Sequence, residues 1–148
     1  MPVHFRAATA ADLPALMALL ADDDLGRGRE GTDPAPYRAA FATIDADPNQ
    51  IFCVADRDGE IVGMQQITFI PGLSRKGAWR GMIEAVRVAR HRRNEGIGGR
   101  MIEWAIAECR SRGCSLVQLT SDRTREEAHR FYDRLGFTAS HVGYKMTL

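Results

Sequence analysis

The sequence predicts a three-layer domain of α/β or mixed α+β type built around a mixed sheet, and three observations carry that prediction. Two β-compatible runs joined by a short polar turn form an antiparallel hairpin in the front half. A strand, a glycine-rich bend, an amphipathic helix and a short apolar strand form a crossover unit in the back half. The 148 residues, 45% hydrophobic and 26% charged, suffice for one domain with its own core, so the expected organisation is a single domain over 1–148.

The elements follow in order. Val3 to Ala7 is a short strand. Thr9 with Asp12 three residues on is a variant capping box, opening a helix with the apolar stripe Leu13, Leu16, Met17 and Leu20. Asp22 to Asp33 is charged and glycine-rich, hence loop; Asp33-Pro34 then caps a second helix bearing Tyr37, Phe41 and Ile44. Ile51 to Ala55 and Ile61 to Ile70 are the hairpin strands, with Asp56-Arg57-Asp58-Gly59 as their turn. Pro71 to Gly77 is a polar loop holding Arg75 and Lys76, and Trp79 to Val88 is a third long strand. From about Gly96 to Arg112, Ile97, Met101, Ile102, Ala105, Ile106 and Cys109 share one helix face, with Gly113 just past the end. Leu116 to Thr120 is a short strand of buried type, Arg125 to Leu135 a last helix, and Ser140 to Thr147 a closing strand. The predicted order is β-α-α-β-β-β-α-β-α-β.

Composition narrows the function by exclusion. Twenty basic residues against nineteen acidic ones leave a net charge of +1, which argues against a whole-surface grip on nucleic acid or anionic lipid. Cys53, Cys109 and Cys114 are odd in number and lack metal-ligand spacing, so reduced thiols are expected, with neither disulfide framework nor metal site. No run approaches a membrane span and the first twenty residues lack a leader pattern, so the expected location is the cytoplasm.

The chemistry concentrates in Val86 to Arg100, which reads strand, glycine bend, helix start. Gly96, Gly98 and Gly99 allow positive φ and close approach of a ligand to the backbone. The first free N–H groups of the helix then make an anion site suited to phosphate. Arg93, with Arg90, Arg92 or Arg100, would add charge-assisted contacts to a pyrophosphate or ribose phosphate. The spacing is neither GxxxxGK[ST] nor GxGxxG, which excludes two common phosphate-binding designs.

Arg93-x-x-Gly96-x-Gly98 after this strand resembles the coenzyme A signature of the GNAT family of N-acetyltransferases. Ala128-His129-Arg130-Phe131-Tyr132-Asp133-Arg134-Leu135-Gly136-Phe137 is similar to that family's second motif, A-x-x-(F/L)-Y-x-x-x-G-F. The resemblance extends from Val3 to Leu148 and implies a mostly antiparallel central sheet flanked by about four helices. It implies acetyl-CoA as cosubstrate, no metal, and transfer of acetyl to a primary amine in a ternary complex. The pantetheine arm would lie along Val86, Arg87 and Val88, with the Val88 N–H polarising the thioester. Backbone amides through Arg93, Asn94, Glu95, Gly96, Ile97, Gly98, Gly99 and Arg100 would hold the pyrophosphate. Ala128 and Phe131 are the matching helix positions, and Tyr132 would be the general acid for the departing thiolate.

The amine must lose a proton, and Glu84 is the candidate base. Strand alternation would place it on the face of Val86 and Val88; the alternative is a plain ion pair with Arg80. His129 and His141 are runners-up. Two departures from the family pattern stand out. Arg125 occupies a position often held by Asn and would meet a phosphate instead. Asn94 replaces a loop glycine, tolerable because asparagine accepts left-handed φ. The second motif and Ser140-His141 look similar to small-molecule members such as aminoalkylphosphonate acetyltransferases. The implied partner is a small amine, with no nucleic acid or membrane and with a homodimer possible; a protein amine as acceptor, or a coenzyme A sensor without turnover, are the alternatives.

Overall fold

The computed structural model describes residues 2–23 and 25–148, and divides them into two compact units, Met1–Gln118 and Leu119–Leu148. In the first, strand β1 (His4–Ala7) leads to a 3-10 turn (Ala10–Asp12) and helix α1 (Leu13–Ala21). The Thr9–Asp12 capping box forms as the sequence implies, and Arg6 anchors it from β1 through a 2.8 Å ion pair to Asp12. Helix α2 (Pro34–Ala46) starts on Asp33, whose side chain accepts from the Ala35 N–H at 3.0 Å, with Pro34 in the first turn. Strands β2 (Gln50–Arg57) and β3 (Glu60–Pro71) are joined by Asp58-Gly59, both at positive φ, the geometry that Asp-Gly hairpin turns adopt. A single turn, α3 (Ser74–Gly77), carries Arg75 and Lys76 at positive φ. Strand β4 (Trp79–Val88), helix α4 (Ile97–Ser111) and strand β5 (Cys114–Leu119) complete the crossover.

The strands line up in the order β1-β2-β3-β4-β5. The first three pairings are antiparallel, and the α4 crossover brings β5 to β4 in a mixed sheet. Helices α1 and α2 cover one face through Leu13, Leu16, Leu19 and Phe41 packed with Val54 and Met64. On the other face, Ile97 and Met101 of α4 pack with Ala55 and Val62. Each of the Leu, Val, Ile, Phe and Met side chains among them contributes about 1.5–3 kcal/mol by leaving water. The amide of buried Gln65 ties β3 to α4 by donating to the Met101 carbonyl at 2.8 Å. Helix α4 runs so close to β4 that a β-carbon on Gly81 would collide with Cys109 Sγ.

In the second unit, α5 (Glu126–Arg134) ends ahead of Gly136 at φ 96°, close to the predicted bounds. The closing strand expected over Ser140 to Thr147 does not form: residues 137–148 carry no regular secondary structure. Apolar alternation is present there, but alternation makes a strand only where another strand supplies hydrogen bonds. Among the described residues, no helix is long and apolar enough to cross a membrane.

Candidate active site

The second half of β4 departs from regular pairing. Glu84 pairs with Gln66 and Arg87 with Met64, so Ala85 and Val86 together stand opposite Gln65. This is a β-bulge, and Ala85 holds φ at 54°, a left-handed conformation that costs a non-glycine residue of order 1–3 kcal/mol. The bulge overturns one expectation: Glu84 does not share a face with Val86 and Val88. It lies on the face of Arg87 and Met64, toward α1, whereas Val86 and Val88 pack on the α4 side. An extra residue shifts alternation by one, and this one falls between them.

Beyond the bulge, the Ala89 N–H donates to the Val62 carbonyl at 2.8 Å. Alternation therefore turns the Val88 N–H away from β3. Strand β5 lies beside the first half of β4, where Ser115 Oγ donates to the Trp79 carbonyl and Gln118 reaches Met82 Sδ. The Val88 N–H is thus aimed at the flank that β5 has left. The Val86 carbonyl is engaged by Arg87 Nη1 at 2.9 Å.

The chain then passes through a 3-10 turn (Arg90–Arg92), Asn94 at φ 65° and Gly96 at φ 77° into α4. No side chain caps α4, and its first turn holds no acidic residue. The earliest backbone bond is Arg100 N–H to the Gly96 carbonyl, which leaves the N–H groups of Ile97, Gly98 and Gly99 without intrahelical acceptors. A β-carbon on Gly99 would meet nothing within 4 Å, so its absence answers to no internal packing.

The arginines sort by partner. Arg90 pairs with Asp22, and Arg92 with Glu60 at 2.9 Å, where His91 also reaches Glu60 at 2.6 Å. Glu95 is held by Arg57 at 2.6 Å. Arg92, then His91, keep the Glu60 carboxyl below the usual range, and Arg57 does the same for Glu95. Among the described residues, the side chains of Arg93 and Arg100 have no such partner and are exposed, leaving two guanidinium groups beside the amides of α4.

Glu84 is exposed and forms no ion pair among the described residues, with Arg80 or otherwise. Arg87 pairs with buried Asp23 at 3.1 Å, and Arg90 Nη2 donates to the Asp22 carbonyl at 3.1 Å. These contacts tether the start of the Asp22 to Asp33 loop to the end of β4, on the Glu84 face; Asp24 of that loop lies outside the described residues. Together the unit offers an exposed carboxylate, an outward backbone donor and a helix start with three N–H groups free of intrahelical acceptors along one strand-to-helix passage.

In the second unit, the half-buried Tyr132 ring meets Phe131 and Phe137 edge-on, with centroids at 5.0 and 5.8 Å. Ala128 is half-buried on the same helix, and exposed Arg125 precedes its first turn. The His129 ring is tied to the Asp122 carbonyl at 2.8 Å and His141 to Ser140 Oγ at 2.7 Å.

The model of the GNAT acetyltransferase family matches residues 13–137. The chain belongs to that family. As a member it is an acyltransferase that depends on acetyl-CoA. Across its whole length it is 33% identical to the aminoalkylphosphonate N-acetyltransferase of Salmonella typhimurium, covering 94% of that protein. A solved chain from Bacillus halodurans C-125, described as a transcriptional regulator, is 47% identical with a TM-score of 0.97, covering 99% of this chain and 100% of its own. An acetyltransferase from Trypanosoma brucei is 26% identical with a TM-score of 0.84, again covering 99% and 100%.

Two features of this acetyltransferase escaped sequence reasoning. The bulge at Ala85 has no sequence signal, because the left-handed residue is neither Gly nor Asn. The engagement of Arg92 and His91 by Glu60 joins residues some thirty positions apart in the chain, which no local pattern reports.

Proposed function

We propose that this acetyltransferase moves the acetyl group of acetyl-CoA to a primary amine of a small molecule by direct attack in a ternary complex. The observation that carries the reading is the passage from the Ala85 bulge to the start of α4: an outward Val88 N–H followed by free helix amides and two unengaged arginines. Acetyl-CoA supplies an activated thioester and a diphosphate. The amides of Ile97, Gly98 and Gly99 with Arg93 and Arg100 would hold the diphosphate, while the loop at Asn94 and Glu95 sets their approach. The Val88 N–H would stabilise the oxyanion, a donor of a kind worth about 2.7–4 kcal/mol when removed elsewhere. Glu84 takes the proton of the ammonium, directly or through water, and the Tyr132 phenol protonates the departing thiolate. Ala128, Phe131 and Arg125 are assigned to the cofactor side, Arg125 toward a phosphate. The name of the Salmonella relative supports a small amine as acceptor, whereas a peptide acceptor draws no particular support.

The Bacillus halodurans description favours one second reading, a coenzyme A-binding regulator without turnover. Thiol release from acetyl-CoA over a panel of amines, aminoalkylphosphonates included, separates the two. Turnover with a small amine is expected, and Tyr132→Phe lowers kcat about a hundredfold with coenzyme A affinity unchanged. Binding without thiol release for any amine would leave the regulator.

A further inference from the structure

One acidic residue stands inside the cationic bend. From Arg90 to Ile102 the sequence holds Arg90, Arg92, Arg93 and Arg100, and Glu95 is the single carboxylate among them. Asn94 at φ 65° and Gly96 at φ 77° flank it, so it occupies the turn that leads into the free amides of α4. Its carboxyl is held below the usual range, chiefly by a hydrogen bond from Arg57, and is therefore ionised at neutral pH. A fixed carboxylate beside a diphosphate opposes it, and at physiological salt that repulsion reaches across about 8 Å.

The partner comes from outside the bend. Arg57 closes β2, 38 positions earlier in the chain, and its Nη1 donates to Glu95 Oε1 at 2.6 Å. Among the described residues Arg57 engages no other group, and its Nε is buried without an acceptor. A partly exposed ion pair adds little to stability by itself, so its larger consequence is for the field at the bend.

We propose that Arg57 is a positioning residue for the cosubstrate: it holds Glu95 toward the hairpin and cancels its charge, so that the bend meets a diphosphate as a cation. Arg57 touches no part of the ligand and acts only through Glu95. The proposal rests on the reading that the bend and the start of α4 hold the diphosphate.

Calorimetric titration with coenzyme A, which needs no acceptor amine, tests it on variants whose circular dichroism matches the unsubstituted protein. Arg57→Ala should weaken coenzyme A about tenfold, and the deficit should shrink at 1 M salt, where charges act within about 3 Å. Glu95→Gln should bind at least as tightly as the unsubstituted protein, and R57A/E95Q should return to within about threefold of it. A pair that only held the shape of the bend would behave otherwise: both single variants would lose affinity and the double variant would recover none. That result overturns the proposal, and so does an Arg57→Ala protein of unchanged affinity. Arg93→Ala, titrated alongside, separates the proposal from the site it rests on. Loss with Arg93→Ala and none with Arg57→Ala removes the proposal alone, whereas no loss with either removes the diphosphate from this bend and the proposal with it.

Discussion

Single residues decide how the proposed diphosphate site divides its charge. Four arginines crowd Arg90 to Arg100, yet Asp22 and Glu60 occupy two of them, leaving Arg93 and Arg100. Arg93→Ala should therefore weaken coenzyme A about tenfold, the scale of one charge-assisted hydrogen bond, while Arg92→Ala changes it far less. Calorimetric titration of both variants checks this, and equal losses would show that Arg92 leaves Glu60 for the ligand. The sequence made the arginines legible as a group. It could not rank them, because their carboxylate partners come from β3 and from the α1–α2 loop.

At the level of elements, the bulge in β4 is the costly feature. Ala85 sits at φ 54° with its methyl against the α1 layer, a conformation imposed by its surroundings. Ala85→Val brings a β-branched side chain to positive φ and should destabilise the protein by about 1–3 kcal/mol in urea unfolding. A larger fall in kcat than in affinity for coenzyme A would accompany it if the bulge sets the aim of Val88 and Glu84. The bounds of β4 and α4 were readable from apolar periodicity, a glycine at the helix start and one past its end. Which face Glu84 occupies was not readable, since alternation presumes regular pairing and one inserted residue reverses it. The closing segment shows the opposite case: its strand period is plain, yet residues 137–148 form no regular secondary structure.

For the molecule as a whole, the cysteines report on the integrity of the core between the sheet and α4, where Cys53, paired with Gln65, and Cys109 of α4 both lie. Cys53 and Cys109 are buried, and that burial pushes their thiols up to about 11 and about 12, whereas Cys114 is partly exposed. A thiol-reactive probe at neutral pH should therefore label Cys114 first, with the other two reacting at the rate of unfolding. Both folded-state values are raised, so the thiols oppose folding only in alkali. Stability is retained below the ordinary thiol pKa and declines as pH climbs from there toward 11–12. Burst labelling of more than one thiol would mean that a core face opens readily. The clasp of Glu60 on His91 and Arg92 reaches furthest beyond its own neighbourhood. Because the hairpin, not the bend, dictates how many cations remain available, drift at a single hairpin carboxylate could retune the enzyme's appetite for its cosubstrate while every residue in the signature stayed the same.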